Sequence, residues 1–208
     1  MRLWLVLIAL PLSAAPSQLE NSGLAKLTLL TYDLTGMRSS DLAEAVNQTT
    51  RIFRAAGIDL SWTAGSPAAP EAHLLDLSVP TGAPVTPRRL IVAQIINNRT
   101  RAFPSGALGL SLPNARVGAQ VILFLEEIQR QQAQTGVSVP CLLGYALAHE
   151  LGHVLMRSNA HSPRGLMRAE WSRAELDRIQ HGALKFTKAE AKALCASLLA
   201  ANGALAQH

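Results

Sequence analysis

The chain has 208 residues, 49% of them apolar and 16% charged, a composition that builds a buried core and excludes intrinsic disorder. That length suits one sizeable domain. The formal charge of +5 comes from 19 Lys and Arg against 14 Asp and Glu and contains no basic run, which excludes a nucleic-acid-binding arm.

The N-terminus reads as an export signal. Arg2 supplies a positive start, Leu3 to Leu12 is apolar, and Ser13-Ala14-Ala15 offers small residues for a signal peptidase. As a helix that apolar stretch rises only ~15 Å, about half of a ~30 Å hydrocarbon core, so it does not span a membrane. Residues 1–17 are therefore expected to be a signal peptide and 18–208 a single domain. The mature protein is expected to be secreted or periplasmic, with no stable membrane insertion after cleavage.

Lys26 to Leu34 alternates loosely and reads as a strand. Ser39 or Asp41 can cap a helix whose apolar positions Leu42, Val46, Ile52 and Phe53 follow helical spacing, with Gly57 as its natural stop. Ile58 to Thr63 is a second strand, Gly65 to Pro70 a loop, and His73 to Val79 a third strand. Pro80 to Pro87 is a turn-rich linker. Arg89 to Ile96 is strongly β-branched and fits a strand or a short buried helix, because periodicity does not separate the two. A loop at Asn97 to Gly106 carries the sequon Asn98-Arg99-Thr100. Leu108 to Leu112 and Gln120 to Leu125 read as strands around the turn Pro113-Asn114-Ala115. No acidic residue lies between Asp76 and Glu126, while Arg88, Arg89, Arg99, Arg101 and Arg116 do; they form a solvated basic face or a rim that attracts acidic groups. A polar helix, Glu126 to Gln134, is broken by Gly136.

The next helix opens near Ser138, with Pro140 tolerated in its first turn. Leu143, Leu147, Leu151 and Leu155 form a packing stripe, expected to lie on a sheet. On the same helix stand His149-Glu150-Leu151-Gly152-His153. Positions i and i+4 share a helix face, so the two imidazoles can converge on one Zn²⁺ at ~2.0–2.1 Å and leave room for a third ligand and a water. Glu150 sits beside that face, where a carboxylate can take a proton from the water. Gly152 lowers helix stability by ~1 kcal/mol relative to Ala, which hints at a close neighbour. Ser172-x-x-Glu175 and Thr187-x-x-Glu190 are capping boxes opening helices at 173–181 and 188–200.

In an oxidising compartment Cys141 and Cys195 suggest one disulfide, with two buried free thiols as the alternative. The bridge would close a loop of about 54 residues, worth up to ~4 kcal/mol, and requires the C-terminal helix to pack on the start of the zinc helix.

His149-Glu150-Leu151-Gly152-His153, His161-Ser162 and Gly165-Leu166-Met167 together resemble the metzincin metallopeptidases, most closely matrixin-like and archaemetzincin-like members. The resemblance implies an α+β fold, with a mixed, twisted five-stranded sheet packed on an N-terminal helix and on the zinc-binding helix, and a helical C-terminal part. It implies three zinc-binding histidines and a tight turn placing a methionine under the metal. Specific similarity covers only about 20 residues, and this sequence departs from the pattern. Metzincins place a glycine three residues after the second histidine and the third histidine six after it; here Met156 and Asn159 occupy those positions. A turn longer by two residues delivers His161, with Asn159 supplying the left-handed backbone of the missing glycine. The rival is a thermolysin-like third ligand, for which Glu170 and Glu175 qualify. The tyrosine many metzincins carry after the methionine is absent, leaving Tyr145, Arg164 and Arg168 as candidates to stabilise an oxyanion.

Taken together, these residues imply an exported zinc-dependent endopeptidase acting on a peptide or protein, through a zinc-activated water and Glu150 as general base. The alternatives are a non-catalytic, zinc-stabilised extracytoplasmic binding domain and a zinc hydrolase of a non-peptide bond. Glu150 separates the first of these from an enzyme, since a structural site has no need of it.

Overall fold

The computed structural model describes residues 24–65, 90–98, 106–113 and 119–203. The expected signal segment, the expected strand at His73 to Val79, the linker after it, most of the sequon loop, most of the turn at Pro113 and the five arginines lie outside the described residues. In chain order the elements are β1 (Ala25–Asp33), α1 (Ser39–Ala55), β2 (Ile58–Ala64), β3 (Leu90–Ile96), β4 (Gly109–Leu112), β5 (Ala119–Phe124), α2 (Leu125–Thr135), α3 (Val139–Met156), α4 (Arg173–Gln180) and α5 (Lys188–Gly203).

The strands form one mixed sheet in the order β2-β1-β3-β5-β4. β1 runs parallel to β2 and β3, β3 runs parallel to β5, and β4 closes the sheet antiparallel to β5. Leu90–Ile96 resolves as a strand because it pairs on both sides, Leu90 with Thr28 and Ile91 with Ala119. Its apolar run, interrupted by the buried Gln94, follows from burial on both faces, as parallel interior strands require. On one face Leu27, Leu29, Ile91, Ala93 and Ile95 meet the helices in the main core. On the other, Leu30, Tyr32 and Val92 form a smaller buried cluster.

α1 begins at Ser39 without the expected side-chain cap from Ser39 or Asp41; Arg38 holds the cap position and pairs with Asp41 at 3.0 Å. Its other end matches expectation, with Gly57 at φ 84° turning the chain into β2. α3 is apolar on every side, and 13 of its 18 residues are buried. Such a helix belongs inside a core. It packs chiefly on α1 and also on β4 and β5. Gly144 makes the contact with α1: a Cβ there would lie 2.6 Å from the Ala45 carbonyl oxygen, and Thr49 Oγ1 of α1 donates to the Gly144 carbonyl at 2.9 Å.

The disulfide expectation is overturned: Cys141 and Cys195 are both free. The Cys141 thiol donates to the Ile179 carbonyl at 3.2 Å, whereas Cys195 donates to the Ala56 carbonyl at 3.1 Å, behind the end of α1. α5 packs against the far end of α3, where Ser197 Oγ donates to the Leu155 carbonyl at 2.6 Å. Leu155 is about 21 Å along the helix axis from Cys141, out of reach of a bridge. Burial pushes the half-buried Cys141 thiol up, away from its thiolate form.

Candidate metal centre

α3 carries His149 and His153 one turn apart on one face, both buried. Their Nε2 atoms are 3.0 Å apart, and His161 Nε2 lies 3.3 Å from that of His153. One ligand atom from each of the three lies within 4.8 Å of the others, a set that could hold a metal ion. His149 Nδ1 donates to the Leu166 carbonyl at 2.9 Å and His153 Nδ1 to the Ser158 carbonyl at 2.7 Å. A neutral ring protonated at Nδ1 leaves a lone pair on Nε2. Lone pairs crowded at these distances repel unless a cation lies between them. Tetrahedral ligands at ~2.05 Å stand about 3.3 Å apart, close to the two spacings that His153 Nε2 makes.

His149 and His153 are held neutral for a physical reason. Burial pushes His149 down to about 4, opposed by its bond to the Leu166 carbonyl and assisted by His153 and His161. Burial also lowers His153, with the Ser158 carbonyl opposing. Neutral imidazoles at pH 7 are what a divalent cation requires.

The chain reverses after His153 differently from the expectation placed on Asn159. The left-handed residue is Arg157, at φ 50°, the one non-glycine with positive φ among the described residues. The Arg157 and Ser158 amides cap α3 by donating to the Val154 and His153 carbonyls, each at 3.2 Å. The same turn aims the Ser158 carbonyl at His153. The longer turn then delivers His161 on an exposed loop.

Met167 is fully buried beneath this face. A Cβ on Gly152 would lie 2.6 Å from its Sδ, so Met167 is the close neighbour that the glycine hinted at. The rival ligands are placed elsewhere. Glu175 is committed to the α4 capping box with Ser172 and to an ion pair with Arg168 at 3.0 Å, and the Ser172 hydroxyl leads in lowering its carboxyl below the usual range. Glu170 is exposed and outside the cluster. Arg168 is held by Glu175, Arg164 is exposed, and Tyr145 is fully buried against Trp171 with its phenol pushed up to about 12 by burial. None of the three stands out as an oxyanion partner.

Glu150 follows His149 on α3, and burial pushes its carboxyl up to about 7, opposed by a hydrogen bond from Ser111. Ser111 belongs to β4, the outermost strand among those described. A Cβ on Gly109 would meet Glu150 Cγ at 2.9 Å, so glycine there lets β4 lie directly on the carboxylate. Sequence reasoning missed Ser111 and Gly109, since nothing in a short strand announces a partner 40 residues away. It also missed Trp171, whose Nε1 donates to the Leu166 carbonyl at 3.1 Å, the same oxygen that holds His149. The Leu166 and Ser158 carbonyls are backbone groups and leave no residue-type signal.

No protein-family model matches the chain, and no curated protein matches it. Solved structures do. A zinc-dependent peptidase from Methanocorpusculum labreanum superimposes with a TM-score of 0.54 at 14% identity, over 80% of this chain and 99% of its own. Archaemetzincin from Methanopyrus kandleri superimposes with a TM-score of 0.53 at 14% identity, over 84% of this chain and 97% of its own. At that identity the likeness is one of fold: the α+β architecture and five-stranded mixed sheet of this chain match those of zinc peptidases.

Proposed function

We propose that this chain is an exported zinc-dependent endopeptidase of metzincin-like type. The observation that carries the reading is the convergence of three imidazole nitrogens beside a half-buried carboxylate, under the outermost described strand of a peptidase-like sheet. The similar zinc-dependent peptidase and archaemetzincin support it, as does the export-type pattern at residues 1–17.

His149, His153 and His161 would hold the zinc. When bound, zinc supplies a Lewis acid that polarises a carbonyl and lowers the pKa of water toward ~7. The Leu166 and Ser158 carbonyls keep two of the rings in the tautomer that points Nε2 at the site. β4 offers an extended peptide an edge to pair with, and an added strand would lay its backbone over Glu150. Glu150 accepts a proton from water as the oxygen bonds to the peptide carbon. It then delivers that proton to the amide nitrogen as the carbon–nitrogen bond breaks. A carboxyl poised near neutrality suits both transfers.

Glu150→Gln tests this: the amide keeps the shape and cannot accept the proton. The variant should retain stoichiometric zinc and lose ~10²–10⁴ in cleavage rate on a peptide library. Zinc binding by the parent without cleavage of any peptide would favour the non-catalytic binding domain, and cleavage by the variant at the parental rate would remove Glu150 from the mechanism.

A further inference from the structure

The third imidazole is held differently from the other two. His149 and His153 each have Nδ1 tied to a carbonyl, and among the described residues no such bond is made by His161. Its place therefore depends on its backbone, on an exposed loop whose ordering costs entropy.

That loop is clamped on the N-terminal end of α5. Ser162, next to His161, donates its amide to the Met167 carbonyl at 2.8 Å, closing the turn. Its hydroxyl donates to Glu190 Oε1 at 2.5 Å, across 28 residues of chain. The Leu166 amide donates to the Lys185 carbonyl at 3.1 Å. Gly165, at φ 81°, lies so close to α5 that a Cβ would sit 3.0 Å from Thr187 Cγ2 and 3.7 Å from Glu190 Oε2.

Glu190 divides its two oxygens. Oε2 accepts the Thr187 amide at 2.7 Å, the reciprocal half of the α5 capping box. Capping needs no more than that. Oε1 is left for Ser162, and the residue is only 7% exposed, so this charge-assisted bond is shielded from water.

We propose that Glu190 is a positioning residue for the metal centre: through Ser162 it fixes the loop that carries His161, so the first turn of the C-terminal helix sets where the third imidazole stands. This rests on reading His149, His153 and His161 as the zinc ligands. Glu190 touches neither metal nor substrate; it acts on the backbone that carries His161, whereas the Leu166 and Ser158 carbonyls hold the other two rings directly.

The test measures zinc dissociation constants of the full chain by competition with a chromophoric chelator, together with the melting temperature of the metal-free protein. Ser162→Ala should weaken zinc about tenfold, the low end of what loss of an outer partner costs. Ser162→Thr, which keeps the hydroxyl, should restore affinity. Thr187→Val removes the hydroxyl half of the α5 cap while keeping Cγ2 beside Gly165 and sparing the Ser162 bond; it should lower the melting temperature and leave zinc affinity unchanged. Glu190→Ala should weaken zinc at least as much as Ser162→Ala, and adding Ser162→Ala to it should cost nothing more. Parental zinc affinity in Ser162→Ala would overturn the proposal, and so would an equal weakening in Thr187→Val. A parent that binds no zinc would instead overturn the reading of the metal centre itself.

Discussion

The two kinds of proposed metal ligand in this protein are built on opposite principles. His149 and His153 ride a helix buried on all sides, locked to α1 at Gly144 and seated on Met167 at Gly152. His161 stands on an exposed loop and is located through hydrogen bonds made by its neighbour. A buried helix fixes a pair of side chains through backbone geometry alone, before any metal arrives. A loop ligand needs a chain of polar contacts, and its ordering entropy enters the binding equilibrium.

The largest expected effect separates these directly. His149→Ala should weaken zinc by at least about a thousandfold, roughly 4 kcal/mol, because it dismantles the preformed pair. His161→Ala should weaken it by less, since the helical pair survives. Competition titrations in which the loop variant is the more damaged would break the contrast.

The helix-borne groups should also dominate the pH dependence of the metal-free protein, in opposite directions. His149, pushed down to about 4, contributes stability that is present above its unfolded value of 6.5 and lost as pH falls toward 4. Glu150, pushed up to about 7, contributes stability that is present below 4.5 and lost as pH rises through 7. Each is worth about 3 kcal/mol at most, so the two largely cancel in the parent between pH 4 and 7. Glu150→Gln should unmask the histidine: urea titrations should find it as stable as the parent near pH 4 and more stable, by up to about 3 kcal/mol, at pH 7.5. Equal stability of the two proteins at pH 7.5 would mean Glu150 is not held in the way its burial implies.

A smaller effect tests the seat of the helix. Gly144→Ala pushes a methyl into the Ala45 carbonyl of α1 and should cost about 1–3 kcal/mol in chemical denaturation. It should weaken zinc as well, because both helical ligands move with α3. An unchanged stability would show that the helices can part without cost.

Smallest is Arg157→Gly. A non-glycine residue in the left-handed region costs ~1–2 kcal/mol, against ~0.5–1 kcal/mol of chain entropy that glycine forfeits. A gain of up to about 1 kcal/mol is expected, read as a higher melting temperature. A loss would mean that the Arg157 side chain has a role which its exposed position does not reveal.

What the sequence determined by itself was local. Helical spacing placed His149, Glu150 and His153 together, the capping boxes at Ser172 and Thr187 set the starts of α4 and α5, and Gly57 and Gly136 marked the ends of α1 and α2. Each of these is written within a few residues, by a period, a cap or a positive φ. Tertiary structure decided what depends on contacts between distant segments. Paired neighbours made β3 a strand, and the grouping of His161 with the helical pair, apart from Glu170 and Glu175, followed from where a loop folds back and from Glu175 being held in its own cap. The separation of Cys141 from Cys195 followed from which end of α3 the last helix packs against, a choice made by the summed burial of apolar side chains that no short stretch of sequence records.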